Sequence, residues 1–168
     1  MPNWCHNKLL VIGSQAKLQE FKQFAQGLTL SQFSVDTRDD DIDILDFNKF
    51  VPYPEKFAKA DFRRRQGLTD KDGYNNGGYD WCIRNWGTKW GACDVDLSEH
   101  SKRSLLYYFN TAWSPPAPVV VEMSEKFPTL MFHLNYAEAG CAFQGNFWAK
   151  GGEIVKDESK AYRGSRGG

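Results

Sequence analysis

The second half of the chain alternates too regularly to be read two ways. The run "TLMFHLNYAEAG" sets Leu130, Phe132, Leu134 and Tyr136 on one parity and Met131, His133 and Asn135 on the other. That is the two-residue period of a strand with one buried face. Upstream, "SLLYYFNTAW" (Ser104 to Trp113) is heavy on both parities, with Leu105, Tyr107 and Phe109 against Leu106 and Tyr108. It predicts a strand covered at least partly on both sides. Between the two lies "SPPAPVVVEMSEKFP". Its prolines suit a helix start and forbid a helix interior. Val119 to Val121 are weak helix formers, but Met123 and Phe127 share a helical face and Pro128 stops it. The order is strand, helix, strand. "AFQGNFWAKGGEIV" then returns as a hairpin partner through a turn near Gly140.

The first half repeats that order. "NWCHNKLLVI" ends in the apolar run Leu9 to Ile12 and reads as a strand. Ser14 is placed to accept a bond from an early helical N–H. The following helix carries Leu18, Phe21, Phe24, Ala25 and Leu28 on one face, with Gly27 as a C-terminal stop. "ILDFNKFVPYP" reads as a second strand, ended by Pro52 and Pro54. Two β-α-β halves predict an α+β fold: a ferredoxin-like split β-α-β sheet with its helices on one face. It carries a helical and loop insertion at about residues 55–100 and an extra C-terminal hairpin strand. One domain is expected over residues 1–155, and residues 156–168, "KDESKAYRGSRGG", lack apolar periodicity and read as a disordered tail. The second sheet face of such a fold is open in RNA-recognition modules. Here the insertion is long enough to cover it, so a partly protected face is expected, with a cleft where the insertion meets the sheet.

Within the insertion, "EKFAKADFRRRQG" reads as a short helix bearing the basic run Arg63, Arg64 and Arg65, and "LTDKDGYNNGGYD" as a loop. Tyr79, Cys82, Ile83 and Trp86 fall on one face of another short helix, with Gly87 at its left-handed C-cap. "ACDVDL" is then a strand with one wet face. Trp86 and Trp90 flank this turn. The structural reading makes both fillers that fasten the insertion to the core. The functional reading makes them a stacking platform with charge from Lys89, beside Arg84 and Asn85. Glu138 is expected to pair with Lys89 and tie the insertion to the last hairpin.

Lys plus Arg and Asp plus Glu number 21 each, so the net charge is zero. That argues against strong non-specific binding of duplex DNA. The acidic run over residues 36–43 lacks the spacing of a calcium loop. No apolar run reaches the ~18 residues of a membrane span, and the N-terminus does not read as a signal peptide. The expectation is a cytoplasmic protein with Cys5, Cys82, Cys93 and Cys141 as free thiols, no metal site and no cofactor. No nucleophile, phosphate-loop or zinc motif is present. His133, Glu138 and Cys141 assemble a site only on paper, and His133 reads as a packed or surface histidine.

Four stretches together, "MPNWCHNKLLVIG", "NWGTKWGACDV", "FNTAWSPPAPVV" and "SEKFPTLMFHLNYAEAGCAFQG", resemble the Api92-like / YubB-type proteins, which contain a ferredoxin-like domain. The resemblance runs from Met1 to about Trp148. It rests on Trp4, Asn85 to Trp90, Trp113, Pro115, Pro116, Pro128, Tyr136, Glu138, Gly140, Phe143 and Gly145. It implies a small soluble protein of the kind carried by phages, plasmids and genomic islands, in a family without an assigned activity. The expected function is a non-enzymatic binding protein that intercepts a host or defence component. The alternative is a binder of single-stranded nucleic acid or a nucleotide through Trp86, Lys89 and Trp90.

Overall fold

The computed structural model describes residues 3–28 and 42–164; residues 36–41 of the acidic run lie outside them. Strand β1 (Trp4–Ile12) alternates buried Cys5, Asn7, Leu9 and Val11 with outward His6 and Lys8. Ser14 caps α1 (Gln15–Ala25) by accepting from the Lys17 N–H, and Leu18, Phe21 and Ala25 turn inward. Phe21 is the hub of the core. Its ring meets those of Phe50, Tyr107, Phe127 and Phe132 at centroid distances of 5.3–6.0 Å.

The described residues 27–28 and 42–92 leave the sheet. They begin with the two-residue strands β2 (Gly27–Leu28) and β3 (Ile42–Asp43), which pair with each other. They continue through α2 (Glu55–Arg65) and α3 (Tyr79–Asn85). The chain returns as β4 (Cys93–Ser101), β5 (Ser104–Ala112), α4 (Ala117–Lys126), β6 (Met131–Glu138), β7 (Phe143–Lys150) and β8 (Glu153–Ala161). In α4 the β-branched run costs at most about 0.7 kcal/mol per residue in propensity. Burying Val119 and Val120 completely returns about 1.5–3 kcal/mol each, so the helix wins.

The six-stranded sheet runs β4-β5-β1-β6-β7-β8, and every neighbouring pair is antiparallel. Its first four strands with α1 and α4 make the ferredoxin-like unit. The insertion therefore sits inside the first β-α-β crossover, and β4 is the second strand of the unit.

Three expectations are corrected. The "ILDFNKFVPYP" segment is not a strand. Asp46 accepts from the Asn48 N–H at 2.8 Å and Asn48 accepts from the Tyr53 N–H at 2.9 Å. These side-chain turns coil the backbone around a 3₁₀ turn, Phe47–Lys49, and bury Leu45, Phe47, Phe50 and Tyr53 together. The tail is ordered as far as Ala161, because β8 completes the sheet edge against β7. It is exposed throughout, and a strand that buries neither face has no apolar period to read. Finally, the described residues of the insertion do not lie across the second sheet face, which they reach only at its end, where Trp90 meets Trp4. Phe47 reaches Phe109 at 6.2 Å and Phe50 reaches Phe21, on the side already occupied by the helices.

Candidate functional site

With α1, α4 and most of the described insertion on one side, no described helix packs over the other face of the sheet; Leu106 on it is 5% exposed, and Trp90 meets Trp4 at its end. The strand register sorts its side chains into cross-strand rows. One row runs Asp96, Tyr108, Lys8, Asn135, Asn146 and Glu158. The next, towards the C-terminal end of β1, runs Ser98, Leu106, Leu10, His133, Trp148 and Lys156. On the other side lie Asn110, His6, Ala137, Gln144 and Lys160. Directly opposed side chains of an antiparallel pair interact, and here they do. Lys8 Nζ lies 5.7 Å from the Tyr108 ring centre. His133 stacks on Trp148 at 4.3 Å and 4°, and Lys156 sits 5.1 Å from the same indole. Asn146 Oδ1 faces His133 Nε2 at 2.9 Å and accepts from Asn135 Nδ2 at 3.0 Å. His6 Nδ1 bonds Asn110 Oδ1 at 2.7 Å, and Asn110 donates to Asp94 at 3.0 Å. The face thus offers planar rings, amides and amines, which can stack on and hydrogen-bond to an extended polar ligand.

The residues expected at the site from sequence divide sharply. Trp86 is withdrawn from any binding surface. It is 2% exposed, its indole N–H donates to the Val51 carbonyl at 2.8 Å, and it packs on Phe47, Tyr53 and Trp81. Its helix face is narrower than expected, since Tyr79 and Ile83 are exposed. Gly87 has φ +79°, the left-handed cap the turn requires. Asn85 also turns inward, donating to the Trp81 carbonyl, while Arg84 is exposed on α3. Lys89 and Trp90 do come together. The Lys89 amine lies 5.0 Å from the Trp90 ring centre, and Trp90 meets Trp4 edge-on at 6.4 Å.

Glu138 does not reach Lys89. It is buried, and its carboxylate accepts from the backbone N–H groups of Gly140 and Cys141, so it ties the β6–β7 turn to itself. It also sits on the opposite face from His133, which removes that paper site. Desolvation pushes the Glu138 carboxyl up, but hydrogen bonds from Cys141 and Gly140 and the nearby His6 outweigh it, and the net shift is downward. The native chain therefore binds that proton more weakly than the unfolded chain. The stabilisation is complete above the unfolded value of about 4.3 and fades as pH falls through the lowered one. The stability gap between wild type and Glu138→Gln, from urea titrations, is expected to be flat at neutral pH and to shrink in acid. A gap indifferent to pH, or one that widens in acid, contradicts this.

Sequence reasoning missed Lys8, Tyr108, Asn135 and Trp148. For Lys8, Asn135 and Trp148 the parity was legible, since each falls opposite the buried positions of its strand; Tyr108 lies on a strand buried on both parities. What alternation does not report is whether another element covers that parity. Among the described residues, no three His, Cys, Asp or Glu side chains gather as a metal site. No helix there is long and apolar enough to cross a membrane.

Comparison with known proteins gives two results. The family model of the ferredoxin-like domain in Api92-like protein matches residues 85–165. The crystal structure of a protein api92 from Yersinia pseudotuberculosis matches with a TM-score of 0.61 and 12% identity, covering 98% of this chain and 99% of that one. At that identity the likeness is one of fold. The chain is similar to Api92-like proteins, as the four quoted stretches imply. No curated protein matches it.

Proposed function

We propose that this chain, whose second half matches the ferredoxin-like domain of Api92-like proteins, is a non-enzymatic binding protein that lays single-stranded nucleic acid across the sheet face opposite its helices. The observation that carries the reading is the face itself. Tyr108 is 42% exposed there, between a lysine and rows of amides, imidazoles and further lysines at strand spacing. Sheet faces with this chemistry suit unstacked bases, because every base has a ring to stack and edges to hydrogen-bond. A protein interface has an apolar centre; here Leu10 and Leu106 pair within a single row, and the other rows carry Lys8, Asn135, Asn146 and His6. The cytoplasm is the proposed place of action, supported by four unpaired thiols; burial holds those of Cys5 and Cys82 near a pKa of about 12.

A chain of zero net charge grips phosphates only locally. If Lys8, Lys156 and Lys160 meet about three phosphates, log K falls with log salt at a slope of about −2. Fluorescence anisotropy with a labelled ten-nucleotide single strand is the test. Raising salt from about 50 to 200 mM is expected to weaken binding roughly ten- to twentyfold, and Lys8→Glu to weaken it at any salt. No binding at low salt, or a Lys8→Glu variant equal to wild type, overturns the reading.

A host protein as partner is the second reading, in the interception role expected of a phage or plasmid accessory protein. What favours it is α2, where Phe62 is 56% exposed, Leu68 beyond the helix end is 67% exposed, and Arg63, Arg64 and Arg65 fill the last turn. Such a partner is retained by wild-type chain from a bacterial lysate and lost on Phe62→Glu.

A further inference from the structure

Trp113 follows the last residue of β5 and is the one bulky residue of the chain, among those described, held in the left-handed region, at φ +73°. A residue with a Cβ is strained in that conformation. Trp113 nevertheless keeps 42% of its surface exposed. The surrounding backbone enforces the conformation. The Trp113 N–H donates to the Asn3 carbonyl at 3.0 Å. Thr88 donates to the Ala112 carbonyl at 3.0 Å, Thr111 to the Ser114 carbonyl at 2.7 Å, and Ser114 to the Gly87 carbonyl at 2.6 Å. A strained, over-determined and solvent-facing tryptophan points to use rather than to packing.

Its neighbourhood points the same way. Ala112 pairs with Trp4, and Trp4 carries the edge-on contact to Trp90 with the Lys89 amine over that ring. We infer that Trp113, with the Trp4–Trp90 pair beside it, is the base-stacking subsite for a single-stranded oligonucleotide crossing this end of the sheet. The inference rests on the reading of the open face given above. Charge sets the direction of the strand. Asp94 stands at the β4 edge, whereas Lys160 closes its row on β8 and Arg163 follows it, with its N–H on Gln144, and Glu158 in the next row is paired with Lys156. From β5 to β8 is four strand spacings, about 19 Å, a span that no single nucleotide covers. The ligand is therefore a strand of several nucleotides, stacked at Trp113 and neutralised towards β8.

Trp113→Gly separates use from packing, because glycine accepts this backbone without strain. In the anisotropy titration with the ten-nucleotide strand, Trp113→Gly is expected to bind about tenfold or more weakly. Its urea midpoint is expected to stay level or rise. Trp113→Phe, which keeps a smaller ring, should fall between the two in affinity. Wild-type affinity in Trp113→Gly overturns the subsite alone, provided Lys8→Glu still weakens binding. A lowered urea midpoint in Trp113→Gly assigns Trp113 to packing and also overturns it. Absence of binding by the wild type overturns the subsite together with the open-face reading.

Discussion

Alanine in place of Trp86 is expected to lower the unfolding free energy by about 3–5 kcal/mol, the largest loss at any single aromatic of the insertion. Three aromatic neighbours lie within 6.1 Å of its ring centre, and no described side chain replaces it when it is cut back. A second term adds to the cavity. The indole N–H donates to the part-buried Val51 carbonyl, and a carbonyl there left without its donor costs at most about 1–3 kcal/mol. Trp86→Phe divides the two terms, since it restores most of the ring and none of the N–H. It should recover the larger part of the loss but not all of it. Urea titrations of both variants make the measurement. A Trp86→Ala variant within about 1 kcal/mol of wild type would show that this indole does not fasten the insertion.

The contrast between Trp86 and Trp90 shows how far the sequence reaches. Both were legible as a corner, because helical spacing fixed Trp86 and Gly87 marked the stop. Their separation into one buried ring and one at the rim was not legible. It depends on Val51 and Tyr53 arriving from a segment whose side-chain turns hid its path. The ferredoxin-like order was legible because β1, β5 and β6 each bury one parity completely, and burial is what apolar periodicity records. For the same reason β8 was invisible, since Lys156, Glu158 and Lys160 alternate with residues that are equally exposed. The face opposite the helices was invisible in another way: outside β5 its residues could be assigned to the outside of each strand, but only the path of the described residues 27–28 and 42–92 shows that no described helix lies over them. Trp113 entered only through the family resemblance and its strain gave no signal, because a left-handed backbone at a tryptophan is imposed by Asn3, Thr88 and Ser114, which are distant in sequence or silent in pattern.

Asp61→Ala is expected to destabilise the chain by about 3–4 kcal/mol and to release the loop that precedes α3. The Asp61 carboxylate is a buried hub. One oxygen accepts from the Gly73 and Tyr74 N–H groups at 2.8 and 2.9 Å, and the other accepts from the Tyr53 hydroxyl at 3.2 Å. Burial and then the Asp61 charge raise the Tyr53 phenol above its ordinary value, so it remains a donor. Gly73 is pressed so close to α2 that an added Cβ would lie 2.3–2.6 Å from Phe57 backbone atoms, and two backbone N–H groups at such a contact have little access to water. Asp61→Asn keeps one acceptor oxygen for those N–H groups and should lose about half as much. Hydrogen exchange supplies a local readout: the Gly73 and Tyr74 amides should lose protection in Asp61→Ala before the sheet amides do. The loop leads back to the rim of the open face, because the Tyr74 hydroxyl donates to the Lys89 carbonyl at 3.2 Å. Losing Asp61 should therefore loosen the Lys89–Trp90 corner as well and weaken oligonucleotide binding without touching the ligand. If protection at Gly73 and Tyr74 persists in Asp61→Ala while global stability falls, the carboxylate supports the core and not the loop, and that route from α2 to the corner is closed.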